Sequence, residues 1–373
     1  MTYFDHNATT PLQPVARDAW LRASGEFFAN PSSPHRLGAR ADRALDEARE
    51  KLAEWLGCAP DEIVWTSGAT ESNNMVAQHF SASAGQAWVS AIEHPSVIGA
   101  VRRWFAQRRQ LIPVTADGVI ELDWLGNAFK QEAKPAFVGV MAANNETGVL
   151  QPWREAAAIC RERGVPFFCD AAQWVGKLPA RGLGECDFVS GCAHKFGGPK
   201  GVGFLKVPRG KFHALLHGGG QEHGRRAGTE DVAGVAAMVA VLELREGAMR
   251  DESALRARLL WRGDFEKMLT AKLPGARIVG SGADRLWNTV SALMPSSSDC
   301  RARWVVKLDK LGFAVSTGSA CASGREEPSH VLAAMGVAPE ESDRVLRFSS
   351  GWETAENEWE LLLNALAGIA ANQ

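Results

Sequence analysis

The chain has almost no surplus of charge: 41 Lys and Arg stand against 43 Asp and Glu, a formal net charge of -2 over 373 residues. Without a basic excess to neutralise a run of phosphates, nucleic acid is not an expected ligand. Long apolar runs are also missing. None approaches the roughly 20 residues of a membrane-spanning helix, and the opening MTYFDHNATTPL lacks the charged-then-apolar order of a secretory signal. The expected partners therefore include no membrane, and the expected location is the cytoplasm. The seven cysteines, at 58, 160, 169, 186, 192, 300 and 321, form no C-x-x-C pair. An odd number in that pattern argues against both a disulfide framework and a zinc knuckle. No internal repeat and no low-complexity tract occurs.

What is present is the composition of an ordinary globular protein, 46% hydrophobic and 23% charged, with length enough for two domains. From Arg36 to Leu56 the apolar positions Leu37, Ala41, Ala44, Leu45, Ala48, Leu52, Trp55 and Leu56 recur at helical spacing after the cap-like Ser32-Ser33-Pro34. Short apolar runs then alternate with helical patterns: Ile63–Thr66, Ala87–Ile92, Phe137–Ala142, Val165–Cys169, Asp187–Cys192 and Val202–Val207. This alternation predicts an α/β fold with a largely parallel sheet covered by helices. An Ala-rich helical stretch from about Asp231 to Leu273 precedes a domain boundary placed near residue 250. Beyond it the pattern gives strands at Ala276–Val279, Thr289–Met294 and Val345–Ser349, helices at Arg301–Leu311, Ser329–Met335 and from Thr354, and a Ser/Gly-rich loop at Ser316–Glu327.

Ligands of open α/β sheets bind beyond the carboxyl ends of the strands, so polar residues just after the apolar runs are the candidates. Ile63–Thr66 leads into Ser67-Gly68-Ala69-Thr70-Glu71, a glycine turn and helix start whose amides, with the Thr70 hydroxyl, suit a phosphate. A plain helix cap is the alternative. His94 follows the run ending at Ile92, and on its own such a histidine is more often structural. Asn145 follows Ala142, placed to bond a ligand oxygen or simply to make a turn. Asp170 ends a run that reads as buried, where an unpaired carboxylate is costly, and its partner is either a protonated pyridine nitrogen or a structural arginine. Lys195 sits between an apolar strand and a glycine-rich loop, where desolvation lowers an amine pKa and makes it a nucleophile. That loop matches neither nucleotide-binding glycine pattern, so an aldehyde cofactor explains the lysine better. Far downstream, Cys321 stands among small polar residues in Ser316–Gly324, either a nucleophile or an incidental loop thiol.

In order, the segments FDHNATTPL, NPSSPH, TSGATESNN, EHPSV, NNETG, DAAQ, AHKFGGPKGVGF, GGGQEHGRRAGTE, STGSACASG, EPSHVL and LRFSSG resemble the cysteine desulfurases of the class V aminotransferase family almost from end to end. The resemblance implies a fold-type I transferase dependent on pyridoxal 5'-phosphate. A mostly parallel, seven-stranded sheet would lie in a large domain, residues 15–250. Residues 1–14 and 251–373 would form a smaller α+β domain carrying the Cys321 loop. It implies a homodimer with sites at the subunit interface, the block GRRAGTE reaching the neighbouring site. Lys195 would carry the cofactor as a Schiff base, His94 would stack on its ring as acid and base, Asp170 would face the pyridinium, and Gln173 would donate to the phenolic oxygen. Ala69, Thr70, Cys192, His194 and, across the dimer, Thr229 belong to the phosphate end. Asn145 and Arg347 would hold the substrate carboxylate, a task suited to a planar guanidinium.

The implied chemistry converts L-cysteine to L-alanine. The Cys321 thiolate attacks the substrate sulfur and becomes a persulfide for delivery to a protein acceptor, such as a scaffold for iron–sulfur cluster assembly. Lys195 is the natural base, and His94 is placed to couple to the Cys321 thiol. A selenocysteine lyase would use the same residues, an aminotransferase acting on another amino acid would not need Cys321, and a non-catalytic scaffold would leave the filled positions unexplained. Three positions depart from the family pattern. Cys192 replaces a phosphate-binding serine, with Ser190 as the nearby substitute hydroxyl, and His223 and Trp352 stand where arginine is usual, on the expected partner surface.

Overall fold

Uninterrupted runs of β-branched and aromatic residues are stable only where both faces are covered, and here they build the centre of the molecule. The computed structural model describes residues 1–296, 300–318 and 328–371. Among these, the strands are β1 (Thr2–Tyr3), β2 (Ile63–Thr66), β3 (Ala87–Ser90), β4 (Arg109–Ile112), β5 (Phe137–Gly139), β6 (Phe167–Asp170), β7 (Phe188–Cys192), β8 (Gly203–Lys206), β9 (Arg277–Ile278), β10 (Thr289–Leu293), β11 (Phe313–Ala314) and β12 (Val345–Ser349). Strands β2 to β8 form a seven-stranded sheet in the order β2-β8-β7-β6-β5-β3-β4.

From β4 to β7 the neighbours are parallel, whereas β8 is antiparallel to both β7 and β2. The cause is the connection. Between Cys192 and Gly203 the chain makes only a turn and the glycine loop, and without a crossover helix it returns antiparallel. Strand β4 escapes the sequence pattern for a different reason: it is the sheet edge, with Arg109 and Leu111 exposed, so it presents no apolar run.

The helix Arg36–Leu56 has the expected limits and buries Ala41, Leu45, Ala48, Leu52 and Leu56. Leu37, counted in its apolar stripe, is exposed. Its cap is not Ser32 or Ser33 but the His35 ring, which accepts from the Gly38 amide at 3.1 Å. The helical stretch after Asp231 is two helices, Val232–Met249 and Glu252–Lys272. They part where the Asp251 side chain accepts from the amides of Ser253 and Ala254. Among the described residues no helix is long and apolar enough to cross a membrane.

Buried apolar clusters cover the two faces of the large sheet. A separate core gathers Phe4, Phe265, Trp304, Phe348 and Trp359 beside the antiparallel sheet β9-β10-β12 and the parallel pair β1-β11. The first residues thus pack with the C-terminal part. The chain then crosses to the large sheet, where Thr10 N–H donates to the His194 carbonyl at 2.8 Å and Gln13 N–H to that of Gly197 at 2.9 Å.

One buried ion pair fastens the segment after the glycine run GGG to this frame. Arg49 Nη1 and Nη2 reach Glu222 Oε2 and Oε1 at 3.0 and 3.3 Å, and the Trp65 amide of β2 donates to Glu222 Oε2 at 2.9 Å. Glu222 has φ +51, strained for a residue with a side chain, and these bonds hold it there. Arg49→Met would leave a buried carboxylate without its cation, at a cost of about 3–5 kcal/mol. The expected outcome is a clear fall in the denaturation midpoint, and an unchanged midpoint would contradict the role given to this pair.

Candidate active site

The carboxyl ends of β2, β3, β5, β6 and β7 converge on a cavity of about 440 Å³. Its lining includes His94, Asn145, Asp170, Gln173, Cys192 and Lys195, so the structure brings together residues that lie a hundred positions apart. Lys195 Nζ donates to the carbonyls of Asn7 at 2.6 Å and Ala8 at 2.9 Å. Burial pulls its amine below the ordinary lysine value, with Cys192 and Asp170 opposing and Arg347 adding to the fall. Asp170 is buried at the end of β6. Its Oδ1 accepts from the Ala172 amide and its Oδ2 from Asn73 Nδ2, both at 2.9 Å. These donors are neutral, and no Lys or Arg forms an ion pair with Asp170 among the described residues. The carboxylate is solvated by neutral donors and feels Lys195 only at a distance, which suits a cationic pyridinium rather than a structural arginine.

At the other end of the cavity the helix Ala69–His79 begins after Gly68 with no side-chain cap from that residue, and the Ala69 amide meets the Cys192 thiol, so the helix start is placed to receive an anion. Ser67, Ala69, Thr70, His194 and Lys200 line this end. Strand β8 comes so close that a Cβ on Gly203 would lie 2.6 Å from Gly68 Cα, and only glycine permits the approach. The Cys192 thiol lies here, pushed up to about 11 chiefly by burial. Ser190 does not take its place: it is buried, its hydroxyl has no partner, and it is not part of the lining. Burial lowers the His194 imidazole to about 4, with Lys195 and Lys200 adding to the effect. An uncapped helix start, an amine and an unpaired carboxylate in one cavity fit the phosphate, aldehyde and pyridinium ends of pyridoxal 5'-phosphate. Thr229 is exposed and does not line its own chain's cavity. Its neighbour Arg226 binds Glu71 at 2.9 Å on the cavity rim.

A second cavity, of about 600 Å³, adjoins the first and shares Ala8, His94, Asn145 and Lys195 with it. Arg347 of β12 projects there. Its Nη1 donates to the Asn145 carbonyl at 2.8 Å and its Nη2 to Asp5 Oδ1 at 2.6 Å, while its buried Nε has no partner among the described residues. Ser316, Thr317 and Gly318, the last described residues before Cys321, line the same cavity beside Arg347. Cys321 itself lies outside the described residues. Of the departures from the family pattern, His223 is exposed but Trp352 is not on a surface. Trp352 packs on Trp287, and its Nε1 donates to the Gly176 carbonyl at 2.8 Å.

Comparison with known proteins agrees with this geometry. The Aminotransferase class-V family matches residues 2–362. A cysteine desulfurase of Klebsiella pneumoniae is 37% identical, with 98% of this chain and 92% of that protein covered. One of Cereibacter sphaeroides is 40% identical over 98% and 95% of the two chains. The cysteine desulfurase IscS of Dictyoglomus turgidum is 37% identical over 98% and 94%. Among solved structures, a NifS-like protein superposes with a TM-score of 0.90 at 30% identity, covering 100% of both chains. SspA in complex with cysteine superposes with 0.81 at 28% identity, covering 95% of this chain and 100% of that one.

Several polar residues around the cavity were given no role by the sequence, although all but Lys177 lie inside the blocks that carry the resemblance: Asn7, Asn73, Glu93, Ser96 and Lys177. Their partners lie on other elements, which is why the sequence does not show what they do. Glu93 is the extreme case. Its Oε1 accepts from Ser90 Oγ at 2.6 Å and the Met141 amide at 2.7 Å, and its Oε2 is buried without a partner. Burial raises this carboxyl to about 8, and the Asp170 charge adds to the rise against those two hydrogen bonds. The folded protein therefore keeps a proton that the unfolded chain loses above about 4.5. That stabilisation is complete below the unfolded value and is lost as pH rises through about 8. Glu93→Gln removes the dependence. Denaturation midpoints of the parent protein should fall relative to those of Glu93→Gln between about pH 5 and pH 8, and parallel curves would contradict this assignment.

Proposed function

The chain belongs to the class V aminotransferase family of pyridoxal-phosphate enzymes, and from that premise we propose that it is a cysteine desulfurase. It takes L-cysteine to L-alanine and passes the sulfur to Cys321 as a persulfide, for delivery to an acceptor protein. The observation that carries the proposal is that Lys195, Asp170 and Arg347 share one pair of adjoining cavities, with Ser316, Thr317 and Gly318, just before Cys321 in the chain, lining the second. The cysteine-bound neighbour and the named relatives support the choice of substrate.

When bound, pyridoxal 5'-phosphate supplies an electron-withdrawing ring that stabilises negative charge at the substrate α-carbon. The chain's own residues do the rest. The amides from Ala69 and Thr70, with His194 and Thr229 of the partner subunit in a homodimer, hold the phosphate. Cys192 is the weak donor of that set. Asp170 would pair with the ring nitrogen. Gln173 gives one N–H to the Asn7 carbonyl at 2.9 Å, and its second is left for the phenolic oxygen.

Arg347 and Asn145 orient the substrate carboxylate, Arg347 Nη2 having a second N–H beyond the one it gives to Asp5. Lys195, its amine favoured in the neutral form by burial, takes the α-proton. The Cys321 thiolate then attacks the substrate sulfur: the Cβ–S bond breaks, an S–S bond forms, and the carbon skeleton regains a proton. The balance is L-cysteine and a Cys321 thiol giving L-alanine and a Cys321 persulfide. Nothing in this scheme needs a membrane, and the reading places the homodimer in the cytoplasm.

The test is alanine release from L-cysteine with excess thiol, for the parent and for Cys321→Ala. Alanine from the parent, with loss of at least about a hundredfold in Cys321→Ala, is the expected result. A cofactor-loaded parent that releases no alanine overturns the proposal, and equal release by both proteins removes Cys321 as the sulfur acceptor.

A further inference from the structure

A chain of hydrogen bonds joins Asp170 to His94 through two side chains that the reaction scheme does not use. Asn73, on the helix Ala69–His79, donates from Nδ2 to Asp170 Oδ2 at 2.9 Å and to Ser96 Oγ at 2.8 Å. An amide nitrogen has two hydrogens and accepts nothing, so both are spent. Turning the amide over would set its oxygen against the Asp170 carboxylate. Ser96 Oγ lies 2.8 Å from His94 Nδ1. Having accepted from Asn73, Ser96 has its single hydroxyl proton to give to the ring.

The backbone enforces the same direction. His94 is the N-cap of the helix Pro95–Phe105, and the Ser96 amide, which can only donate, points at Nδ1 from 3.1 Å. Two donors therefore face Nδ1, which must offer its lone pair. The imidazole is kept neutral chiefly by burial, with Lys195 and His330 acting in the same direction against Asp170. The proton of a neutral imidazole then resides on Nε2, because the bond made by one ring nitrogen fixes the state of the other. Nε2 has no protein partner among the described residues, and the ring lines both cavities.

We propose that Asn73 and Ser96 are positioning residues that hold His94 in the tautomer protonated on Nε2, so that it presents an N–H donor to the cavity beside Lys195. The tautomer depends only on bonds within the protein. Its consequence for turnover rests on the desulfurase reading. In the resting enzyme His94 offers a hydrogen bond from Nε2 and cannot take a proton there, so in this tautomer it does not act as the base that deprotonates the Cys321 thiol. The histidine is thus a neutral N–H donor toward the cavity at the start of the cycle.

The test is nitrogen-15 magnetic resonance of histidine-labelled holoenzyme, with His94 assigned by its loss in His94→Gln. The expected spectrum has a protonated Nε2 and a hydrogen-bonded, unprotonated Nδ1. In Ser96→Ala the Nδ1 resonance should move toward that of a free acceptor nitrogen, in Asn73→Ala it should move partway, and Ser96→Thr should restore it. Alanine release should show kcat down roughly tenfold in Ser96→Ala with KM for cysteine little changed. A proton on Nδ1 in the parent, or an Nδ1 resonance that Ser96→Ala does not move, overturns the proposal. A parent with the expected tautomer that releases no alanine supports the tautomer and defeats the desulfurase reading, so the two fail separately.

Discussion

The carbonyl of Asn7 accepts from Lys195 Nζ at 2.6 Å and from Gln173 Nε2 at 2.9 Å, and the rest of the site is arranged around that crossing of the chain. Asn7 spends most of its other groups on the C-terminal part. Its amide donates to Ser349 Oγ, its Nδ2 to Thr289 Oγ1 and the Asn145 carbonyl, and its Oδ1 accepts from Asn288. One residue near the start of the chain therefore fixes the reactive amine of the large sheet and ties it to the strands that present Arg347. Burial of this much polar backbone is tolerable because each group is paired.

The electrostatics follow from the same economy. Lys177 is buried with Nζ donating to Asn7 Oδ1 at 2.7 Å and to Gln173 Oε1 at 2.5 Å. Its amine is held well below the ordinary lysine value, first by burial and then by Lys195 and Arg347. Lys195 is lowered by burial too, and Glu93 is raised. Burial thus biases several ionisable groups toward their uncharged forms around an ionic pair of tasks, a carboxylate for a pyridinium and a guanidinium for a substrate carboxylate. Perturbed groups gathered in one cavity are the usual mark of a chemical site.

Much of this was legible in the sequence because the chemistry sits where strands end. Lys195, His94, Asp170 and Asn145 each follow an apolar run, and the runs became neighbouring strands. Residues that act through contacts were not legible: Asn73 meets Ser96 and Asp170 only after the sheet has formed. The antiparallel turn of β8 was hidden because its run looks like its parallel neighbours, and β4 because an edge strand with Arg109 and Leu111 exposed has no apolar signature. Trp352 shows the opposite error. A substitution read as belonging to a partner surface is a buried ring packed on Trp287. Thr229 was assigned only through the resemblance, since it does not line its own chain's cavity.

The central claim is that Lys195 is the amine that bonds the cofactor, and a second desolvated lysine, Lys177, lies close enough to make the claim worth separating. Borohydride reduction of the pyridoxal-phosphate-loaded protein, followed by peptide mapping, fixes the cofactor to whichever lysine holds it. The account predicts the label on Lys195 alone, where the cavity joins the unpaired Asp170 carboxylate to the uncapped helix start. A label on Lys177, or none on either lysine despite bound cofactor, would contradict it.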